Sequence, residues 1–403
     1  MKITETNSIL FVDSDHNQLQ SLKRALHDHQ NQWQLHFTEN AASALDLLQQ
    51  MPVDIIVTET KLNGSNGSSL LKTVQSQFPG TTRLLFSGQA LRTPAQEVVH
   101  HAHQFIAKPC NTKDLINNLE RVLQLRGLLN NPAMEEMINS LGTLPSLPQS
   151  YREMIDALQS ENTTLADIGK IVAQDIGMSA KLLQMVNSAF FGLPQKIASP
   201  AHAVSLLGIE TVSNLALGAG VFSQLDQAVI KSFQLELLWE HSQSISGLVR
   251  RLAQLHGMSR QEIEIPVMAG LLHDIGKLVL ASQNTKEYLR IVEQSKRDKI
   301  PLFEVEADAL WCHHASIGAY LMGIWGLPFT AVEAVALHHS PEKQTMERPD
   351  CLLVYGANLL YHWLGDTPYK EHYNPEHLQS LLGPEEYDRW VVATEEHLNG
   401  QTI

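Results

Sequence analysis

The chain has 403 residues, of which 43% are hydrophobic and 18% charged, with a formal net charge of −14. That is ample for a large core and too long for one ordinary domain, so two or more domains are expected. The acidic balance repels a phosphate backbone and speaks against nonspecific nucleic-acid binding, while Cys110, Cys312 and Cys351 are too few and too widely spaced for a disulfide framework or a cysteine-based zinc ribbon.

Met1-Lys2 leads directly into the strand-like run Ile9-Leu10-Phe11-Val12, with no basic start followed by a long apolar segment. No other run approaches the roughly 18 apolar residues of a membrane span. A cytoplasmic protein with no membrane contact is expected. From residue 8 to about 126, apolar strands at 8–13, 33–38, 54–58, 82–86 and 103–107 alternate with amphipathic helices near 17–29, 41–51, 66–77, 93–101 and 111–126. Five such repeats with short connections describe a doubly wound α/β domain, a parallel sheet covered by helices on both faces. Its functional loops should lie at the carboxyl ends of the strands.

Those ends carry Val12-Asp13-Ser14-Asp15, Thr58-Glu59-Thr60, Ser87-Gly88 and Lys108-Pro109. The segment, about 1–128, resembles the response-regulator receiver domain, with its flavodoxin-like fold. The resemblance implies an acidic pair that holds magnesium, a phosphoacceptor aspartate, a Ser/Thr that reads the phosphoryl group and a lysine that neutralises it, matched here by Asp13, Asp15, Glu59, Ser87 and Lys108. Two positions depart from the pattern: Glu59 stands for the phosphoacceptor aspartate, and Ser14 for the second member of the acidic pair. A longer side chain and a lost ligand weaken a hard, near-octahedral magnesium site, so neither phosphorylation nor magnesium is expected, although Asp15 offers a partial substitute ligand. Either Glu59 pairs with Lys108 and imitates a phosphorylated carboxylate, or the domain is a pseudo-receiver serving as a docking or dimerisation surface. One carboxylate lacks the charge and the three acceptor oxygens of a phosphoryl group, which favours the docking reading.

Gly127, Asn130-Asn131-Pro132, Gly142, Pro145 and Pro148 surround one short helical stretch, 133–141, and mark a linker over about 129–143. Beyond it the pattern is helical, with apolar residues at three- and four-residue steps over 149–158, 164–174, 178–187, 200–206, 210–222, 232–256, 265–283, 304–325, 328–339 and 349–364. An all-α domain is expected. The stretch from Leu165 to Leu183 has the spacing and central glycine of a helix-turn-helix. Its second helix offers only Lys181 and Gln184 to a nucleic acid, opposed by Asp167 and Asp175, so a structural hairpin is the better reading and DNA binding a distant third function.

The run through Leu144-Pro145, Asp175, Leu182-Leu183, Asn187-Ser188-Ala189-Phe190-Phe191-Gly192, Ile197-Ala198-Ser199 and Leu206-Leu207-Gly208 is similar to the HDOD domain, the HD-related output domain of bacterial signalling proteins. The resemblance spans about 144–345 and leaves 346–403, with Trp363 and Trp390, as a C-terminal extension that it does not cover. In the wider HD superfamily a lone histidine, a His-Asp pair and further histidines gather one or two metals. His241, His273, Asp274, His314, His338 and His339 occur in that order and make the candidate metal set, suited to iron, manganese, zinc or nickel. Lys277, one turn beyond the pair, is placed to meet a phosphate oxygen. Against catalysis, Ala357-Asn358 replaces the Ala-Asp of the superfamily's last ligand, and Ser340-Pro341-Glu342-Lys343 follows the histidine pair without the Gly-Tyr-Pro signature of the cyclic-dinucleotide phosphodiesterases. The plain alternative is that His273 and Asp274 hydrogen-bond one another and stitch helices together, and Cys312 is read as a small buried hydrophobe rather than a ligand.

The leading expectation is a bacterial two-component-type signalling protein. In it a pseudo-receiver regulates an HDOD output domain through protein contacts, with surfaces at its fourth and fifth repeats docking on or releasing the helical half. Its partners would be signalling proteins such as a kinase or a diguanylate-signalling enzyme, and a homodimer is compatible with the reading. The competing expectation is a metal-dependent phosphohydrolase or phosphodiesterase. The balance leans away from an enzyme.

Overall fold

The computed structural model describes residues 7–87, 101–126, 131–141, 144–146, 150, 153–154, 156–157, 160, 163–187, 196–218, 222–224, 227–365 and 373–400. The expected helix near 93–101, half of that at 149–158 and the motif residues 188–192 fall largely or wholly outside them.

The N-terminal domain is a five-stranded parallel sheet with strands β1 (Asn7–Val12), β2 (Trp33–Thr38), β3 (Ile55–Thr58), β4 (Thr82–Ser87) and β5 (Gln104–Ala107), in the order β2-β1-β3-β4-β5. The central strands β1, β3 and β4 have apolar cores because each side of the sheet is covered, whereas the edge strand β2 carries Gln34 and His36 and is only half-buried. Ile9, Phe11, Val57 and Leu84 pack with Leu19, Leu115 and Leu119 on one face, while Leu10, Val12, Ile56 and Leu85 pack with Leu48 and Leu71 on the other. Each of these fully buried side chains contributes on the order of 2 kcal/mol. The helices start where short polar side chains can cap them: Asp15 before His16–Ala25, Asn40 before Ala41–Gln50 and Asn66 before Gly67–Gln77. The described strands and helices lie within a few residues of the expected ones.

The second half is helical, with one addition: a short parallel pair, Leu144–Ser146 with Phe222–Gln224, that its periodicity did not signal. Two expected helices are broken. The stretch 265–283 divides into Arg260–Leu272 and Ile275–Gln283, with His273 and Asp274 at the break. There Gly276 lies so close to helix His314–Ile324 that a Cβ would stand 2.0 Å from the His314 carbonyl oxygen, a distance only glycine permits. The stretch 304–325 divides into Leu302–Leu310 and His314–Ile324, because Trp311 is left-handed, with φ of 60°.

Helices Leu165–Ala173 and Ile176–Val186 form the expected hairpin, with a Thr164–Asp167 capping box on the first. Every residue of the second is buried, Lys181 and Gln184 included. A helix covered on all sides cannot enter a groove, which removes the nucleic-acid reading of this element. The C-terminal extension joins the same core. Helices Glu376–Leu382 and Pro384–Gly400 follow Pro349–Leu364, and Trp390, fully buried, lies against Gly356, where a Cβ would meet its ring at 2.6 Å. Among the described residues no helix is long and apolar enough to cross a membrane.

The two halves meet at the fourth and fifth repeats. Gln104 Nε2 donates to Gly323 O at 2.9 Å, and Gln184 Nε2 to His103 O at 3.4 Å. Arg83 is fully buried, and its guanidinium is satisfied by the carbonyls of His101 and Asn139, both at 2.6 Å. Burial, with the neighbouring Arg83, holds the His103 imidazole well below its ordinary pKa. The neutral ring accepts the Arg83 amide at Nδ1, 3.1 Å, and presents Nε2 to Asn139 O, 3.1 Å.

Candidate functional site

Two polar clusters lie at the places the sequence marks. In the first, Glu59 follows β3, its amide donating to Val12 O at 2.9 Å, and Gly67 lies against its carbonyl. Lys108 Nζ, beyond β5, donates to Asp13 Oδ2 at 2.6 Å and to Glu59 Oε2 at 2.7 Å. The other Glu59 oxygen accepts the Thr60 amide at 2.7 Å and the Thr60 hydroxyl at 2.6 Å, and Thr60 Oγ1 is 2.7 Å from Ser87 Oγ. Burial alone would raise the Glu59 pKa; the hydrogen bonds from Lys108, Thr60 and Ser87 outweigh it and hold the carboxyl below its ordinary value. Asp15, exposed, directs Oδ1 to the amides of Asn17 and Gln18 as the cap of the first helix. Thr60, which relays Glu59 to Ser87, was not singled out from sequence. Its signal is a hydroxyl immediately after the acidic residue.

The second cluster gathers all six expected residues. His241 comes from helix Leu235–Leu255, His273 and Asp274 from the break after Arg260–Leu272, His314 from the first residue of His314–Ile324, and His338 and His339 from the end of Phe329–Leu337. Asp274 Oδ2 lies 3.3 Å from His273 Nε2 and 3.8 Å from His241 Nε2, whereas Oδ1 lies 3.2 Å from His314 Nε2 and 3.8 Å from His338 Nε2. Two donor groups share this carboxylate: His241, His273 and Asp274, and Asp274, His314, His338 and His339.

The tautomers follow from the outer partners. His273 Nδ1 faces Gly270 O at 2.8 Å, His338 Nδ1 faces Val335 O at 2.7 Å, and His314 Nδ1 faces Glu306 Oε2 at 2.6 Å. Carbonyls and carboxylates carry no proton to give, so each Nδ1 is the N–H, and Nε2 faces inward. Inside, Nε2 meets Nε2: His241 and His273 at 3.2 Å, His314 and His339 at 3.0 Å. Burial keeps His241, His338 and His339 well below the ordinary imidazole pKa, so these rings are neutral at neutral pH. Burial opposes a charge on His314 too, but Glu306 outweighs it and raises its pKa, so one proton can sit there. Burial also disfavours charge on Asp274, yet the facing His273 and Lys277 hold it well below the usual carboxylate range. Asp274 Oδ1, His338 Nε2 and Asn358 Oδ1 remain buried without a hydrogen bond.

Inward Nε2 atoms of His273, His314 and His338, each oriented by an outer acceptor on Nδ1 and gathered around one carboxylate, form a set that a divalent cation satisfies. The donor set, imidazoles with one carboxylate, fits a borderline transition metal. Two supporting residues escaped the sequence reading. Glu306 accepts the His314 amide and ring and the Tyr288 hydroxyl, at 2.8, 2.6 and 2.9 Å; nothing in the sequence separates it from Glu304 and Asp308 on the same helix, which are not fully buried as it is. His362, from the C-terminal extension, stacks on Tyr373 at 4.7 Å, and burial pushes it down to about 3. Lys277 Nζ is 2.7 Å from Asp274 Oδ2 and lines a cavity of about 180 Å³ with His314, His339, Asn358 and His362.

Comparison with known proteins agrees with this layout. The response regulator receiver domain matches residues 9–120 and the HDOD domain residues 144–341. An uncharacterized protein of Treponema pallidum is 27% identical over 230 residues, 57% of this chain and 44% of its own length. The heme response regulator HssR of Staphylococcus aureus is 28% identical over 130 residues, 32% of this chain and 54% of its own. The chain thus spans about half the length of these curated relatives. Among solved structures, the MmoQ response regulator of Methylococcus capsulatus superposes with a TM-score of 0.49 at 19% identity, over 62% of this chain and 98% of that one. The chain therefore joins a response regulator receiver domain, residues 9–120, to an HDOD domain, residues 144–341.

Proposed function

We propose that the chain is a signalling protein in which a receiver closed by Glu59 regulates an HDOD output domain that acts on a protein partner, a signalling protein such as a kinase or a diguanylate-signalling enzyme. The observation that carries this reading is Lys108 Nζ seated between Asp13 and Glu59 at 2.6 and 2.7 Å. The ammonium neutralises both carboxylates, as magnesium would neutralise the acidic residues of a working receiver, and Thr60 carries the carboxylate on to Ser87. Acetyl phosphate or beryllofluoride with magnesium should therefore leave the hydrodynamic radius and partner binding unchanged. A response that disappears in Glu59→Ala overturns the reading.

A second reading rests on the inward Nε2 atoms: the HDOD domain holds divalent metal on the two groups that share Asp274, and acts on a phosphate ester. A bound ion would supply Lewis acidity and a nucleophilic hydroxide at neutral pH. The chain's own contribution is positioning. Glu306 fixes the His314 tautomer, the carbonyls of Gly270 and Val335 fix those of His273 and His338, and Lys277 offers a cation at the cavity mouth. At about 180 Å³ the cavity is below the roughly 300–1,000 Å³ of drug-sized ligand sites, so a small phosphomonoester suits it better than a cyclic dinucleotide. Assay of the metal-loaded chain against both substrate types tests this; turnover confined to the dinucleotide, or none in metal-loaded protein, refutes it.

A further inference from the structure

Three of the four donors of one group belong to a single helical hairpin. His314 is the first residue of His314–Ile324, and His338 and His339 follow Phe329–Leu337, so both open ends of the hairpin lie at the cluster. Helices of 11 and 9 residues place the turn roughly 13–16 Å away. That turn is seated on the receiver. Gly323 O accepts Gln104 Nε2 at 2.9 Å, and the Gly323 Cα packs so closely on Leu125 that a Cβ would meet its Cδ1 at 2.3 Å. Gly326 lies against the Gln104 side chain, and the Arg121 guanidinium stands 5.3 Å over the Phe329 ring. A second tether runs from Arg83 through the Asn139 carbonyl at 2.6 Å, while Asn139 Oδ1 takes the Tyr320 hydroxyl at 3.0 Å. His241, by contrast, sits on helix Leu235–Leu255 and His273 follows helix Arg260–Leu272, both outside this hairpin, although the His273 ring lies 4.9 Å from that of His338.

We infer that the receiver acts chiefly on one of the two metal positions: its seat on the turn of the 314–337 hairpin governs the Asp274, His314, His338 and His339 group, whereas the group of His241, His273 and Asp274 has only Asp274 in common with it and no donor on the hairpin. Packed helices transmit a shift at one end as a rigid displacement, because a close-packed core is poorly compressible. A loosened turn therefore shifts the donors at the hairpin's open ends, His314, His338 and His339, relative to one another and to Asp274, whose following residue pair Ile275-Gly276 packs on the His314–Ile324 helix. The inference rests on the metal reading above, and it makes receiver docking and occupancy of that position reciprocal: each stabilises the other.

The test uses the full chain, titrated with zinc against a chromophoric chelator under reducing conditions. Unaltered protein should take zinc in two affinity classes, one removed by His338→Ala and the other by His241→Ala. In the double variant Gln104→Ala, Gly323→Val, the His338-dependent class should weaken by about tenfold or more and the His241-dependent class by no more than about twofold. Arg121→Ala, a milder change on the same seat, should act in the same direction and stands in if the double variant fails to fold. Equal weakening of both classes, or of neither, overturns the inference. If unaltered protein takes no zinc, the metal reading falls by itself, and amide hydrogen exchange then decides the coupling. Exchange at Ile317 and Val332 about tenfold faster in the variant supports it, and unchanged rates overturn it.

Discussion

The receiver cluster and the histidine cluster each depart from the pattern they resemble, and two of these departures, Glu59 in one and Asn358 in the other, have opposite physical results. Glu59 adds a methylene, and the longer carboxylate reaches both Lys108 and Thr60, so every charge in that cluster has a partner. Asn358 removes a charge, and its carboxamide oxygen is left buried without a hydrogen bond, beside Asp274 Oδ1 and His338 Nε2 in the same state. One site is closed by its own residues. The other, in the metal reading proposed above, is completed by a cation from outside. A lost residue therefore says little by itself about a lost site; what decides is whether the remaining donors and acceptors balance.

The comparison can be broken most forcibly at Lys108. Lys108→Met leaves Asp13 and Glu59, both largely buried, without their shared cation, and should cost about 3 kcal/mol of unfolding free energy by chemical denaturation. A change near zero would mean that the cluster is solvent-screened and not closed. Next in size is Glu306→Gln. It keeps an acceptor for His314 Nδ1 but removes its charge, and metal affinity should fall by about 10–100-fold. Unaltered affinity would remove Glu306 from the site.

Acid should separate the two clusters further. Glu59 is held below its ordinary pKa in the folded state, so its contribution is present above the unfolded carboxylate range and is lost as pH falls through the lowered folded value. Denaturation of the unaltered chain and of Glu59→Gln should accordingly converge as pH drops below that range. Curves that stay parallel down to acid pH would contradict the assignment. A smaller effect is expected from Lys181, a buried lysine whose pKa burial pulls down to about 8. The unfolded chain binds more protons than the folded one between that value and the ordinary lysine range, so stability should rise with pH across the window, and Lys181→Met should flatten the rise.

Both domains were legible in the sequence because their signals are local. Alternating strands and helices and acidic residues at strand ends identify the receiver, and a fixed order of histidines on amphipathic helices identifies the second cluster. All six metal candidates converge as expected. What escaped depends on contacts between distant segments. The break at His273-Asp274 follows from the close approach of Gly276 to a helix that begins at residue 314, and periodicity on either side reads through it. Glu306 acts across a break in the chain, and His362 and Trp390 join the core from a tail without a recognised motif. The hairpin between receiver and cluster was invisible for the same reason, although contact at the fourth and fifth repeats was anticipated.

The most direct test is the divalent metal content of the full chain, purified anaerobically with iron or manganese supplied, beside that of Asp274→Ala. The account predicts stoichiometric metal in the unaltered protein, up to the two positions that share Asp274, and its loss in the variant. A chain that folds, remains metal-free under those conditions and shows the same melting temperature with and without chelator would contradict it.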